Sequence, residues 1–561
     1  MAGRANKRKI AVADSETDPF RHGRIPEPFI WGFYDGDQYL EWTDHDDFMQ
    51  YVMARPLILY AHNGGRFDWH FILQYVPEWA DIKIINGRIA QMKIGKCEFR
   101  DSFCILPVPL AQYMKTEIDY RIMEKGERYK PNNKKKISDY LKDDCVFLYN
   151  IVSEFVDEFG RGLTIAGTAM KQWEKISGRN APDDDGTVFE TIRPYYYGGR
   201  CQAFRYGVID EPFEKADINS AYPYAMLSKH PISETFRRIE PKELAALSDD
   251  DLAVSFLDVE CTSIGAFPMR ADDYSLEFPH DDERRLYRVT GHEYIAGMET
   301  GALIDPVIKG GYVFDEFCTF EDYVNRFYEL RKEAKANGDK ARTLFYKLLM
   351  NSLYGKFAAN PAEYHDYKTI PHYLLDKKGQ IESEDGYTWQ FAGLFGPHVL
   401  VSAPQLEEDQ RYYNLATAAS ITGFVRAFMW RAIAKADGPI YCDTDSIAAR
   451  SLGPLPYGTA LGEWEHEGDF DFAAVGGKKL YAFRPVGAKR PKDWKIACKG
   501  VRLTPKQIIK VAEGGTVEYK PDAPVFSVHK EPTFVNRTVR ATGAGAKKNS
   551  RKGIDAAKAP A

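Results

Sequence analysis

The tightest constraint on this chain is a six-residue run, YCDTDS at 441–446, in which Asp443 and Asp445 are separated by one residue between apolar flanks. Alternation along a strand or across a tight hairpin points both carboxylates to one side. Carboxylates crowded in this way repel each other, and a bound Mg2+ is the natural relief. Whatever else the chain folds into, it must contain a β element that presents this pair.

Two other segments can meet that element. Asp217 ends a strand-like run in ADINSAYPYAM and is followed by Ser220, Tyr222 and Pro223, a loop able to hold metal and triphosphate against backbone amides. In YKLLMNSLYGKF, Lys347, Asn351 and Tyr354 stand at i, i+4 and i+7, so they project from one helix face. An amphipathic surface helix would account for Leu348, Leu349 and Leu353 but not for the Asn-Ser-x-Tyr-Gly ending, where glycine lets backbone come close to a bound molecule.

A second set of carboxylates lies toward the N-terminus. Asp14 and Glu16 in AVADSETD fall on the same face of an extended strand end. Asn63, Phe67 and Asp68 in YAHNGGRFDWHF follow the apolar run LILY, with Gly64 and Gly65 allowing a tight turn. Tyr140 and Asp144 in SDYLKDDCVFLYNIV stand at i and i+4, so a phenol and a carboxylate share one helix face; Asp143 next door lacks that spacing. Two divalent metals that activate a water and steady a leaving oxygen need three or four carboxylates converging from different elements, and this set can supply them.

A chain of 561 residues exceeds one ordinary core and predicts two to four domains. Aromatic residues at 14% are ample for cores and for platforms that stack on bases. A net charge of -6 argues against a passive DNA coat, so any grip on nucleic acid must come from local basic strips. The eight cysteines form no C-x-x-C pair, which points away from zinc or disulfide frameworks and toward a reducing, intracellular setting. The basic start is followed by an apolar run cut short at Asp14, too short for a signal core, and no stretch is long enough to span a membrane.

Along the chain, short β-rich runs alternate with helical stretches over 10–160, an α/β pattern. The Tyr/Gly/Pro cluster RPYYYGGRCQAF marks a junction near Ile192. A helical region follows over 320–356, interrupted around Gly338, while 361–410 reads as a polar, irregular, loop-rich insertion. The Ala/Gly/Lys-rich end reads as a flexible basic arm, its lysines and arginines a solvated end rather than a DNA contact.

The ordered series D-x-E, N-x-x-x-F-D and Y-x-x-x-D resembles the proofreading exonuclease of family B DNA polymerases, and D-x-x-S-x-Y-P, K-x-x-x-N-S-x-Y-G and Y-x-D-T-D-S resemble their polymerase motifs A, B and C. The resemblance implies an α/β multidomain fold: an RNase H-like 3′-5′ exonuclease domain over 1–190, a palm, fingers and thumb polymerase domain over 191–540, and a flexible basic tail over 541–561. It implies Asp14, Glu16, Asp68 and Asp144 as ligands of two metals, Tyr140 as orienter of the attacking water, and Asn63 and Phe67 as contacts of the frayed primer end. At the polymerase site it implies Asp217 and Asp445 as ligands with Asp443 assisting, the Ile218 backbone near the metal, and Lys347 on the incoming triphosphate. Asn351 and Tyr354 belong to the same nucleotide site, Arg331 is a second triphosphate cation with Lys335 as helper, and Tyr222 is a steric gate whose ring leaves no room for a 2′-hydroxyl. Two Mg2+ ions per site are implied, with Mn2+ able to substitute.

Further matches resemble the protein-primed branch of that family, and the tectivirus-type phage enzymes in particular. They are AHNGGRFD, KTEIDY, the Y-x-G-G at Tyr196, Gly198 and Gly199, GGKKLYAF and KIACKG, in a resemblance running over 10–510. Ser102, which Phe103 follows where the family has leucine, and Lys115 match primer-end contacts; Lys479 and Tyr481 match the K-x-Y that grips the primer terminus, with Lys495 and Lys499 as further phosphate candidates. The roughly 120 residues between Pro223 and Lys347 and roughly 85 between Gly355 and Tyr441 leave room for the branch's two insertions, one engaging the terminal protein and one encircling DNA. The implied partners are template and primer DNA, dNTPs and a terminal protein, with the chain a monomer or a heterodimer with that protein in the cytoplasm of a bacterial host. Strand displacement follows as an expectation of the branch. The competing readings are a family B polymerase that extends only nucleic acid primers, and a nuclease or DNA-binding protein whose second half is a clamp.

Overall fold

A computed structural model describes residues 8–112, 117–244, 246–375, 380–382 and 387–542. Lys115 and the tail over 543–561 lie outside these residues. None of the eight cysteines is in a disulfide, and no described helix is long and apolar enough to cross a membrane.

The N-terminal half is built on a strand whose sequence dictates burial. Lys9–Thr17 lies between Pro28–Tyr34, antiparallel to it, and Leu57–Ala61, parallel to it. Leu57–Ala61 is apolar throughout and buried at all five positions, as a central strand covered on both faces must be, and it runs parallel to Cys97–Asp101. The 29-residue helix Pro131–Phe159 covers one face; Pro131 opens it where a missing N–H costs nothing, and Gly160, at φ 84, closes it. The helix comes so close that a Cβ on Gly32 would lie 2.8 Å from Leu141 Cγ and 2.9 Å from Cys145 Sγ, so only glycine fits beneath the turn that carries Asp144.

This sheet has eleven strands, and part of it comes from far along the chain. The expectation of an irregular loop over 361–410 is corrected: His365–Ile370, Thr388–Phe395 and His398–Pro404 are strands, and the first pairs antiparallel with Asp81–Ile85. The polar average of the segment hides a period-2 pattern whose apolar members, Trp389, Phe395, Val399 and Val401 among them, are buried.

The second sheet has eight strands, all paired antiparallel, and carries Asp217, Asp443 and Asp445 on its strands and the turn between them. Phe213–Ile218 runs between Ser446–Ser451 and Trp464–Gly477, which sets Asp217 opposite Ser446 and Glu465. The helix Leu415–Lys435 is buried along most of its length. A four-stranded sheet formed by Phe236–Ile239, Phe256–Ile264, His280–Thr290 and Leu303–Phe314 fills the stretch before the helical hairpin. That hairpin, Glu321–Ala336 and Lys340–Phe357, breaks at Gly338 (φ 71), where the sequence predicts the interruption, and Asp339 caps the second helix.

Near the C-terminus a small hairpin, Val525–Ser527 with Lys530–Thr533, folds back onto the first sheet. Phe526 meets Phe67 and Phe71 edge-on at 5.3 and 5.5 Å, and Val528 is buried beside Phe395 and Leu400. The hairpin thus touches both the N-terminal half and the inserted strands.

Candidate active sites

In the first sheet Asp14 and Glu16 share a face of the strand Lys9–Thr17, and Asp144 reaches them from the helix Pro131–Phe159. Oxygen atoms of these three lie within 4.8 Å of one another, the one such group of potential ligands among the described residues. Burial, reinforced by Asp68, Glu16 and Asp144, holds Asp14 well above the ordinary carboxylate range, and burial beside Asp144 and Asp68 pushes Glu16 up to about 8. Asp68 is buried and raised to about 6, with its Oδ1 accepting from Ser15 Oγ at 2.5 Å. Burial also raises Asp144 to about 6, against a hydrogen bond from Tyr140. An all-oxygen donor set with this mutual repulsion fits a hard divalent cation, which would lower the cost of keeping all four ionised.

Around this cluster the turn after Leu57–Ala61 puts Asn63 in the left-handed region (φ 63), where Arg88 Nη1 donates to its Oδ1 at 3.0 Å. Arg88 forms a buried ion pair with Asp101, whose carboxylate also accepts from Gly65 N at 3.1 Å and Phe103 N at 2.9 Å. This Arg88–Asp101 pair, which sequence reasoning missed for want of any spacing signal, ties the Asn63 turn to the Ser102 turn. Ser102 is fully buried, and its hydroxyl donates to Ala61 O at 3.2 Å with His62 Nδ1 at 3.0 Å, so its side chain is engaged within the protein. Phe67 is held among Phe20, Phe71 and Phe526. Tyr140 has a neighbour the sequence reading passed over: Tyr120 of KTEIDY, with the two hydroxyls 3.3 Å apart and Tyr120 exposed.

In the second sheet Asp443 ends the strand Asp437–Asp443, and the turn to Ser446–Ser451 carries Asp445. Thr444 sits between them in the left-handed region (φ 64), with Asp445 N donating to Asp443 O at 2.7 Å and Ile218 N to Asp445 O at 2.8 Å. Burial, then the Asp445 charge, pushes Asp217 up to about 7, and burial raises Asp445. Asp443 accepts from Lys479 Nζ at 3.2 Å, the one salt bridge that any of the three carboxylates makes among the described residues. Lys215, buried in the strand beneath Asp217, pairs with Glu467, which also pairs with Lys495 at 2.6 Å.

The helical hairpin lines the other side. Lys347 is exposed, Asn351 Nδ2 donates to Lys347 O at 2.8 Å, and Tyr354 stacks face to face on Tyr222 with ring centroids 4.2 Å apart. Arg331 Nη1 lies 3.4 Å from Ser220 Oγ, joining the first helix to the Asp217 loop, while Lys335 is exposed on the last turn. A Cβ on Gly199 would lie 2.8 Å from both Tyr222 Oη and Thr444 Cγ2, which brings the Y-x-G-G segment against both loops. Its Tyr196 carbonyl accepts from Arg270 at 2.7 Å, and its Gly198 carbonyl from Arg426 at 3.0 Å. Arg426 is in turn paired at 2.7 Å with buried Glu293, a capping residue legible in sequence as the T-x-x-E at Thr290. Tyr481 is 7% exposed, between Tyr441 and Phe483, and Lys499 is exposed with its N–H on Lys479 O.

The matched family model is "DNA polymerase type B, organellar and viral", over residues 108–371. The DNA-directed DNA polymerase of Enterobacteria phage PRD1 is 38% identical across 95% of this chain and 98% of its own length. A DNA polymerase of Bacillus phage Nf is 24% identical over 79% of this chain and 81% of its own. Among solved structures, Phi29 DNA polymerase complexed with primer-template DNA and incoming nucleotide superposes with a TM-score of 0.70 at 19% identity, over 95% of this chain and all of that one. With PRD1-level identity along nearly the whole chain and the motif residues gathered at two carboxylate sites, the chain belongs to the type B DNA polymerases of viruses and organelles, in the branch that holds the phage PRD1 enzyme.

Proposed function

We propose that this DNA polymerase carries its own 3′-5′ proofreading exonuclease and replicates a linear genome by protein-primed initiation with strand displacement. The observation that carries the reading is that one chain builds two carboxylate centres against two separate sheets, Asp14, Glu16 and Asp144 with Asp68 beside them at one and Asp217 and Asp445 at the other.

At the polymerase centre Asp217 and Asp445 would hold divalent cations, with Asp443 and the Ile218 backbone assisting. Two Mg2+ ions at each centre, with Mn2+ able to replace them, would supply charge stabilisation for the attacking and leaving oxygens. Lys347 and Arg331 grip the triphosphate, while Tyr222, fixed against Tyr354, walls off the sugar's 2′ side. The primer 3′-hydroxyl, or the terminal protein's hydroxyl, attacks the dNTP α-phosphate in line and pyrophosphate leaves. Lys479, Tyr481, Lys495 and Lys499 steady the primer and template backbone, and Tyr196, Gly198 and Gly199 contact the DNA. At the exonuclease centre Tyr140 orients a water for attack on the terminal phosphodiester, and Asn63, Phe67 and Lys115 hold the frayed end, while Ser102, expected from the sequence as a primer contact, is buried and braces the turn through Ala61 and His62. The setting is the cytoplasm of a bacterial host, with template and primer DNA, dNTPs and terminal protein as partners.

The test uses a linear template without oligonucleotide, Mg2+ and one labelled dNTP, with and without the cognate terminal protein. Label joined covalently to that protein, and lost in Asp445→Ala, is expected. Label entering only oligonucleotide-primed DNA would reduce the reading to a polymerase that extends nucleic acid primers.

A further inference from the structure

Arg200 follows the Gly198-Gly199 pair and is 1% exposed, yet no described carboxylate pairs with it. Its guanidinium lies 4.0 Å from the Phe278 ring on the insertion before the helical hairpin and 4.9 Å from Trp430 on the helix Leu415–Lys435. Nε and Nη2 both donate to Gln202 Oε1, at 3.0 and 2.5 Å, while Nη1 has no oxygen or nitrogen partner and the buried Cys442 thiol, on the residue before Asp443, is a further polar neighbour of the guanidinium. Burial lowers its pKa to about 10. Charged groups this deep carry a large desolvation penalty, and an unsatisfied buried donor calls for an explanation.

The explanation lies on its backbone. Arg200 O accepts from Thr444 N at 2.6 Å, at the residue between Asp443 and Asp445. Thr444 is β-branched and left-handed (φ 64), a conformation that persists only where its surroundings enforce it. The same turn then runs on through Asp445 O to Ile218 N at 2.8 Å, next to Asp217. One backbone hydrogen-bond chain therefore leads from Arg200 to both carboxylates.

We infer that Arg200 is the positioning residue of the Asp443-Thr444-Asp445 turn: its guanidinium, clamped between Phe278 and Trp430 and forked onto Gln202, fixes the carbonyl that holds Thr444 in its left-handed conformation and so sets Asp445 against Asp217. The inference rests on the proposed reading that Asp217 and Asp445 hold divalent cations. It requires the planar fork and not simply a positive charge, so lysine cannot replace it.

The experiment compares wild type, Arg200→Lys and Arg200→Met in single-nucleotide insertion on a primer-template across a Mg2+ titration, with melting temperature and primer-template affinity measured alongside. Expected for both variants is a rise of about 5-fold or more in the Mg2+ concentration for half-activation and a fall in kcat of about 10- to 100-fold, with the KM for dNTP and the DNA affinity within about twofold of wild type. A purely structural role would lower the melting temperature and the active fraction but leave the Mg2+ midpoint in place. A midpoint within about twofold of wild type in both variants, or full rescue by lysine, overturns the inference. Should the arginine variants not fold, Gln202→Leu and Phe278→Leu, which loosen the clamp and keep the arginine, decide it: a raised midpoint supports the inference and an unmoved one overturns it. Wild-type insertion indifferent to Mg2+ and to Asp445→Ala would overturn the cation reading itself, and this inference with it.

Discussion

Tyr222 and Tyr354 stack 8° from parallel, and with Gly199 against the phenol the Tyr222 ring has nowhere to retreat. A fixed ring discriminates by exclusion, so Tyr222→Val is predicted to reduce the preference for dNTP over rNTP by roughly 100-fold, measured as the ratio of kcat/KM values; an unchanged ratio would remove Tyr222 from that role. Gly199→Ala pushes a methyl toward Tyr222 Oη and Thr444 Cγ2 at 2.8 Å, and it is predicted to cost about 1–3 kcal/mol in urea unfolding and to impair nucleotide insertion. At this scale the sequence was informative wherever chemistry imposes spacing: the two-residue step from Asp14 to Glu16 and the four-residue step from Tyr140 to Asp144 are what bring carboxylates and phenol together. It was silent on Arg88, Arg200 and the Lys479–Asp443 contact, because a partner supplied by a distant segment leaves no local pattern.

The helix Pro131–Phe159 joins the two centres as a rigid element. Its first half carries Tyr140 and Asp144, and its far end meets the helix Lys340–Phe357, where Phe155 stands edge-on to Phe345 at 5.3 Å. Glu154 pairs with Arg342 at 2.8 Å, and Tyr346 donates to Glu158 at 2.8 Å. Both phenylalanines are fully buried, so Phe345→Ala is predicted to cost about 3–5 kcal/mol, whereas Arg342→Ala, at an exposed pair, should cost under about 1 kcal/mol in the same unfolding assay. The helix Leu415–Lys435 covers a different titratable pair. Burial lowers His230 to about 4 and His292 to about 3, and His292 Nε2 has no partner. Between those values and the unfolded value of about 6.5, the unfolded chain binds more protons, so stability is full above about pH 6.5 and falls as the pH drops toward 4. His292→Met is predicted to flatten part of that fall in urea unfolding between pH 7 and 5; parallel curves for wild type and variant would contradict it. Helices were legible at this scale down to the Gly338 break, since caps and periodicity are local. The strands over 365–404 were not, because their apolar residues alternate within a polar average and the strand that joins them to the first sheet lies nearly 300 residues away.

On the scale of the whole molecule, the chain returns twice to its first sheet, through the inserted strands at Asp81–Ile85 and through the hairpin that sets Phe526 on Phe67. The two carboxylate centres therefore share a scaffold while keeping separate carboxylates, and if they are the exonuclease and polymerase centres proposed above they should be separable by mutation. The direct measurement is extension of a primer-template with a single 3′ mismatch, and of its matched counterpart, by wild type, the double variant Asp14→Ala/Glu16→Ala, and Asp445→Ala. The account predicts that wild type trims the mismatch and extends, that the double variant stalls on the mismatch but extends the matched primer normally, and that Asp445→Ala trims without extending. Trimming that survives in the double variant, or matched extension that survives in Asp445→Ala, would contradict it.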